Sequence, residues 1–443
     1  MNKVKVIGAG LAGVEAAWQV ANSGVEVELY EMKPKRYSPA HTSPYMAELV
    51  CSNSLRSDSL ENAVGLLKAE MTMMGSLVME AARACSVPAG GCLAVDREGF
   101  SKYITDKISS HPNIEVISEE IVSIDENDIT VVATGPLTDG KFAEFLSAYL
   151  AEDSLSFYDA AAPIVEKDSI DFDSAYIASR YGKGEAAYIN CPMTREEYDI
   201  FWRELITAEA AHLHGFEESD PKVFEGCMPV EVMASRGHDT LLFGPLKPVG
   251  LPDPKTGCEP YAVVQLRQDN KSASMYNIVG FQTHLTFGEQ KRVFGLIPAL
   301  KNANFLRYGV MHRNTFINSP KLLDRFYRLK KCTNVYFAGQ MTGVEGYLES
   351  ASSGLFAGLN AARQVQGKSL VELDSDTAIG ALACYVSDES VVKFQPMNVN
   401  FGIIKPLEVR VKGGKSARNS ALSNRAIASI ERTVKELSDE IDN

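Results

Sequence analysis

The chain opens on alternating apolar positions, Val4, Val6 and Ile7, which read as a buried strand from Lys3 to Ile7. Glycines follow at once in Gly8-Ala9-Gly10-Leu11-Ala12-Gly13, and then a helical stretch, Val14 to Asn22. Val25 to Tyr30 alternates as a second strand and ends at Glu31. Apolar residues at helical spacing with few breakers predict one long helix over Ala63–Ala84. Another is predicted over Gly99–Ser109, after the turn-rich Pro88-Ala89-Gly90-Gly91. Ile114–Ile117, Ile121–Ile124 and Ile129–Ala133 read as three short strands, the last running into Thr134-Gly135-Pro136. From about Tyr158 to His284 the pattern becomes many short β-like runs between Pro/Gly turns. Val335–Ala338 is again a buried strand, followed by a Gly-rich loop and a helix through Ala362.

The opening strand–helix–strand is a βαβ unit, and the later change of texture marks an insertion. The fold expected is α/β: a Rossmann-type dinucleotide-binding domain, glutathione-reductase-like, carrying an inserted α+β domain. Residues 1–155 and 291–404 are assigned to the first domain, 156–290 to the insertion, and 405–443 to a basic tail and C-terminal helix. A length of 443 residues agrees with two domains.

The glycine run fits the dinucleotide fingerprint Gly8-x-Gly10-x-x-Gly13-x-x-x-Ala17, placed after a strand and opening a helix. Gly8 permits the tight turn, Gly10 lets the backbone approach a pyrophosphate, and Gly13 and Ala17 let helix and sheet pack closely. The intervening Ala9, Leu11 and Ala12 complete the loop, whose helix N-terminus faces the phosphates. Glu31, 18 residues beyond Gly13, stands where it can accept hydrogen bonds from a ribose. FAD is favoured over NAD by two further segments. Thr130 to Gly135 is a strand ending in Ala-Thr-Gly, which resembles a recurrent return strand of FAD domains. Tyr336 to Tyr347, with Gly339, Gly343, Glu345 and Gly346, resembles the second flavin-side loop of the glutathione-reductase-like class. No second GxGxxG occurs, so a nicotinamide reductant is expected to visit transiently.

A composition of 45% hydrophobic and 23% charged residues is that of a soluble globular protein. No apolar run reaches the roughly 18 residues that span a bilayer, and Glu15 interrupts the first helix, unlike a signal peptide. A cytoplasmic protein without membrane association, monomeric or weakly oligomeric, is expected. Eight cysteines without a CxxC pair exclude a disulfide framework and a zinc site, so no metal is assigned. Cys51, in Val50-Cys51-Ser52-Asn53-Ser54, and Cys227, in Gly226-Cys227-Met228-Pro229, lie in polar segments rather than on apolar faces. Cys92 and Cys191 fall in turn regions, and Cys85, Cys332 and Cys384 read as structural. The net charge is −13, yet Lys405 to Arg425 holds six basic residues and one acid, a local +5 that reads as a mobile basic segment or a solvated linker. A final helix is expected over Ala417–Glu440.

Taken in order, many segments resemble one family, the folate- and FAD-dependent tRNA (uracil-5-)-methyltransferases, TrmFO. They include Tyr30-Glu31-Met32-Lys33-Pro34, Cys51-Ser52-Asn53-Ser54, Leu93-Ala94-Val95-Asp96-Arg97, Cys227-Met228-Pro229-Val230-Glu231, Val264-Gln265-Leu266-Arg267 and Gly343 to Ser350. The related GidA/MnmG flavoproteins share the FAD fingerprint but not this set, and beyond Asn400 the family pattern fades. The resemblance implies a methylenetetrahydrofolate–tRNA-(uracil-5-)-methyltransferase with FAD, a methylene taken from methylenetetrahydrofolate, and NADH or NADPH as reductant. It implies tRNA, or another structured RNA, as partner, and two functional thiols matching Cys51 and Cys227. Cys227 is assigned as the nucleophile at uracil C6, Cys51 as the group that helps remove the C5 proton. The alternatives are an FAD-binding oxidoreductase without RNA chemistry and a GidA-like modification of wobble uridine, for which the chain looks too short. An extruded base should be met by basic and aromatic residues. Candidates are Lys33, Lys35, Arg36, Tyr37, the run Arg325 to Lys331, and His312-Arg313.

Overall fold

The computed structural model of the chain describes residues 3–38, 40–151, 155–182, 184–211, 228–391, 393–409 and 411–440; for 155–160 and 311–313 it describes the backbone alone. Cys227 and Arg410 lie outside the described residues, as do the side chains of His312 and Arg313.

Strand β1 (Lys3–Ile7), helix α1 (Leu11–Asn22) and strand β2 (Glu26–Glu31) form the opening unit. Helices α2 (Ala63–Met73), α3 (Leu77–Ala84) and α4 (Arg97–Ser110) follow, then β3 (Ile114–Ser118) and β4 (Thr130–Val132). The single helix expected over 63–84 is thus two. Gly75 adopts φ +72 after α2, and the Ser76 side chain accepts from the Met79 amide to cap α3, so the chain stops and restarts. The strand expected over Ile121–Ile124 does not form, because that stretch makes no ladder.

An antiparallel sheet comes next: β5 (Ile164–Glu166), β6 (Tyr176–Ala178), β7 (Tyr188–Met193), β8 (Ala262–Gln268), β9 (Met275–Ile278) and β10 (Phe305–Arg307). Its order is β6-β7-β8-β9-β5-β10, so it draws strands from both sides of position 290. A two-stranded ribbon, Leu155–Ala160 against Met311–Phe316, carries the chain out and back. The first sheet is then completed by β11 (Arg328–Leu329) and β12 (Cys332–Phe337), in the order β11-β12-β4-β1-β2-β3. All its pairings are parallel except that of the edge strand β11. Each sheet lies against its own apolar core.

Helices α5 (Tyr347–Val365), α6 (Ala378–Ser387) and α7 (Gly414–Asp439) finish the chain. Helix α5 crosses α1 backbone to backbone. A Cβ on Gly354 would lie 2.0 Å from the Ala12 carbonyl oxygen, and one on Gly358 2.5 Å from that of Ala16. The final helix expected after the basic segment is docked on the body of the protein. Asn419 donates to Glu61 O at 3.0 Å and Ser423 to Leu60 O at 2.7 Å, while Leu422, Ala426 and Ile430 are buried. Helix α7 accordingly begins at Gly414, three residues before the expected start. Among the described residues no helix is long and apolar enough to cross a membrane.

Candidate active site

Strand β1 ends in a turn that only glycine suits: Gly8 holds φ +96, and a Cβ there would lie 2.7 Å from Ala133 O. Gly13 packs so tightly that a Cβ would fall 1.7 Å from Gly8 O. At Gly10, the residue preceding α1, the situation is opposite. A Cβ would meet no atom within 4 Å, and no side chain caps the helix. The first amides of α1 therefore face open space, the setting in which a helix start holds an anion. Leu11 and Ala12 are buried beneath this turn. Glu31, at the end of β2, accepts from the Ala9 amide at 2.8 Å and from the Lys33 amide at 2.9 Å. Gly8, Ala9, Gly10 and Glu31 line one cleft together with Thr134 and Phe142.

Two residues of this cleft were not read from sequence in this role. His41 shares a 2.6 Å hydrogen bond with Ser38, and burial pushes its pKa down. Arg36 lines the cleft and bridges Asp139, at 2.7 Å, and Glu120. Lys33 is only 7% exposed; its ammonium is held by the carbonyls of Ser43 and Tyr45, and burial lowers its pKa. It therefore offers no charge to a nucleic-acid surface, whereas Lys35 and Tyr37 do face solvent.

The second glycine loop converges on the first. Gly339, Gly343 and Gly346 have φ of +85, +82 and +117, and a Cβ on Gly339 would lie 3.1 Å from the Ala12 Cβ. The Gly339 amide donates to the Ser353 hydroxyl at 2.7 Å, and Glu345 accepts from Gln340 at 2.6 Å. Gly135, at φ +76, follows β4 with open space beside it, and its carbonyl accepts the Thr138 hydroxyl. The second glycine loop thus meets the start of α1 at Ala12, where Gly354 of α5 also packs.

Cys51 is tied to that second loop. The amides of Cys51 and Ser52 donate to the Tyr347 hydroxyl at 2.7 and 3.1 Å, and Tyr347 is the first residue of α5. Burial, then Cys51, drives the Tyr347 pKa well above the usual phenol. Three arginines hold the same segment. Arg97 donates to Leu49 O, Arg307 to Val50 O at 2.6 Å, and Arg267 to the Ser52 hydroxyl at 2.7 Å and Asn53 Oδ1 at 3.1 Å. Arg97 is paired with Asp269 at 3.0 Å, and burial pushes the Arg307 pKa down. Arg267 and Asp269 belong to β8 and its end, and Arg307 closes β10, so the Cys51 segment sits at the seam of the two sheets.

The chain just after Cys227 is well fixed. The Val230 amide donates to Gln282 O at 2.7 Å, and Glu231 accepts from the Thr283 hydroxyl and the His284 amide, each at 2.9 Å. Cys191 is fully buried on β7, where desolvation pushes its thiol far up, so it is poorly placed to act as a thiolate. Burial likewise raises the Cys85 thiol. The basic run from Arg325 is consumed by the fold. Arg325 pairs with Glu372 and Asp374, Arg328 with Asp324 and Lys330 with Glu389, Tyr327 is buried, and Lys331 donates to Tyr149 O.

A parallel sheet with a glycine turn at its first crossover, a second glycine loop beside it and an inserted antiparallel sheet defines a Rossmann-type FAD-binding fold. GidA of Aquifex aeolicus, in its form II crystal, shares it with a TM-score of 0.71 at 17% identity, covering 98% of this chain and 73% of that one. A family model described as Glucose inhibited division protein A matches residues 3–369. The methylenetetrahydrofolate–tRNA-(uracil-5-)-methyltransferase TrmFO of Acetivibrio thermocellus is 60% identical over 435 residues, 98% of this chain and 99% of its own. That of Ligilactobacillus salivarius is 59% identical over 429 residues, 97% of this chain and 98% of its own. The chain belongs to the GidA family and, within it, to the TrmFO family. A match over 435 of 443 residues also continues past Asn400, where the family pattern was expected to fade.

Proposed function

We propose that this protein methylates C5 of a uridine in structured RNA, the T-loop of tRNA, with methylenetetrahydrofolate as one-carbon donor and FAD as resident cofactor. Relatives at about 60% identity carry that activity in their names. The observation that carries the reading is the Tyr347 hydrogen bond, which fastens the Cys51 segment to the glycine loop expected beside a flavin.

The residues present fit FAD. The space beside Gly10 that a Cβ would fill suits a pyrophosphate, the α1 amides suit its charge, and Glu31 suits a ribose. FAD held there supplies the electrons that turn a methylene into a methyl, and NADH or NADPH replenishes them. Gly339, Gly343, Glu345 and Gly346 would border its reactive end.

The thiols carry the covalent chemistry. Uracil C5 is a poor nucleophile. A bond from Cys227 Sγ to C6 breaks the C5–C6 double bond and makes C5 an enolate carbon, which bonds to the one-carbon unit as that unit's bond to the folate nitrogen breaks and tetrahydrofolate leaves. Cys51 Sγ assists departure of the C5 proton, and loss of Cys227 restores the ring. Arg97, Arg267, Arg307 and Tyr347 position the Cys51 segment.

The test is a T-loop RNA bearing 5-fluorouridine, whose C5 substituent cannot leave as a proton. A protein–RNA adduct that survives a denaturing gel is expected with the wild type. If none forms with RNA, folate and reductant present, the covalent reading is wrong.

A further inference from the structure

Most of the cations considered for RNA are engaged within the fold, as the run from Arg325 to Lys331 shows. A different group is not. Lys412, Lys415 and Arg418 are exposed and form no ion pair among the described residues. They line two adjoining cavities of about 410 and 1170 Å³ that share Phe401, Gly402, Lys415 and Arg418, and so make one groove. Its far end is Arg56, which pairs with Glu349 of α5 at 2.5 Å and lies 3.2 Å from where a Cβ on Gly346 would sit. Arg56 comes five residues after Cys51 in the chain, so this end of the groove adjoins the segment that follows Cys51.

The chain on either side of these cations is anchored. The Lys405 amide donates to Ser375 O at 2.7 Å, and Arg425 ties α7 to the chain before it through Pro406 O at 3.0 Å. Glu61 also lines the groove, and its carboxylate accepts the Ser416 hydroxyl at 2.7 Å; with Arg56 paired to Glu349, the groove carries three unpaired cations against one acid. Asn419, which lines the groove and is only 5% exposed, donates its amide to Glu61 O and leaves its carbonyl oxygen without a hydrogen-bond partner. The half-buried Phe401, which lines both cavities, offers a face to a base.

We infer that this groove binds the sugar–phosphate backbone of the RNA substrate, with Lys412, Lys415 and Arg418 as phosphate contacts. The inference rests on the RNA-methylating reading above. In a protein of net charge −13, a groove lined by three exposed cations that form no ion pair among the described residues is a surface fitted to a polyanion.

The experiment measures binding of a T-loop stem RNA across a salt series to the wild type and to the triple variant Lys412→Ala/Lys415→Ala/Arg418→Ala. The triple variant should bind more weakly, with the slope of log K against log salt reduced by about 2 to 3. Its flavin content and melting temperature should match the wild type, since all three side chains are exposed. The variant Lys412→Arg/Lys415→Arg should retain the wild-type slope. Equal slopes for the wild type and the triple variant would overturn the inference and leave the methylation reading standing. A wild type that neither binds nor methylates RNA would overturn both.

Discussion

Gly10 and Gly8 are alike in sequence and opposite in surroundings: one borders open space and the other touches Ala133 O. Gly10→Val should therefore fold yet lose FAD, because the side chain takes the room of the pyrophosphate; full flavin absorbance in the purified variant would refute that placement. The two thiols make a second residue-scale prediction with the fluorinated RNA. Cys227→Ala should form no adduct, whereas Cys51→Ala should stop methylation and still allow addition at C6. The reverse outcome inverts the assignment, and adducts from both variants would exclude both as nucleophile. A third concerns Glu70, buried on α2, which accepts from the amides of Ala378 and Ile379 at 2.7 and 2.9 Å. Burial, opposed by those bonds, pushes its pKa up to about 8, and burial pushes that of Glu15 up to about 7. Each keeps its proton in the folded protein where the unfolded chain has lost it. Their contribution is fully present below about 4.5 and falls as pH rises toward 8. Glu70→Gln should flatten that decline, gaining roughly 1–3 kcal/mol on the wild type by pH 8; parallel pH profiles of thermal unfolding would contradict it. The spacing of Gly8, Gly10, Gly13 and Glu31 was readable because it is local. Arg97, Arg307 and Tyr347 were not, since they reach Cys51 from 46, 256 and 296 positions along the chain. The engagement of Lys33 and of the run from Arg325 within the fold was not legible for the related reason that a basic residue in sequence does not show whether an acid or a carbonyl awaits it.

At the scale of elements, the contact of α1 with α5 sets how close the two glycine loops come. Gly354→Ala places a methyl 2.0 Å from a backbone oxygen that cannot turn away. It should cost more than about 3 kcal/mol and reduce bound FAD with it. Gly288→Ala, in the helix Phe287–Phe294 with nothing within 4 Å of the new methyl, is the control and should be neutral or stabilising by up to about 1 kcal/mol. Thermal unfolding of the pair decides: equal melting temperatures would mean that the helices can part at little cost. Periodicity revealed most of these elements but ran α2 into α3, because a single Gly75-Ser76 step inside an apolar pattern is a weak signal until Ser76 is seen capping. It also suggested a strand at Ile121–Ile124 that has no partner strand to complete it.

For the whole molecule, the proposed place of reaction is the seam between a dinucleotide-binding sheet and an antiparallel sheet, where Arg267 and Arg307 reach across to the Cys51 segment and Asp269 holds Arg97 against it. The change of pattern near Tyr158 marked the start of the antiparallel sheet, but neither its last strand, Phe305–Arg307, nor the ribbon Leu155–Ala160 with Met311–Phe316 was legible, because pairing across 140 residues or more leaves no local trace. The tail shows the same limit from the other side: its charge was legible, its docking on α2 was not. The central claim is that this molecule places a methyl group on C5 of a uridine in tRNA. It is tested most directly by nucleoside mass spectrometry of tRNA and ribosomal RNA from cells with and without the gene, supported by the purified protein acting on unmodified tRNA. 5-Methyluridine should be present in tRNA only where the gene is present, and should form in vitro only when methylenetetrahydrofolate and reductant are both supplied. Unchanged tRNA 5-methyluridine after removal of the gene, with none formed in vitro, would contradict it.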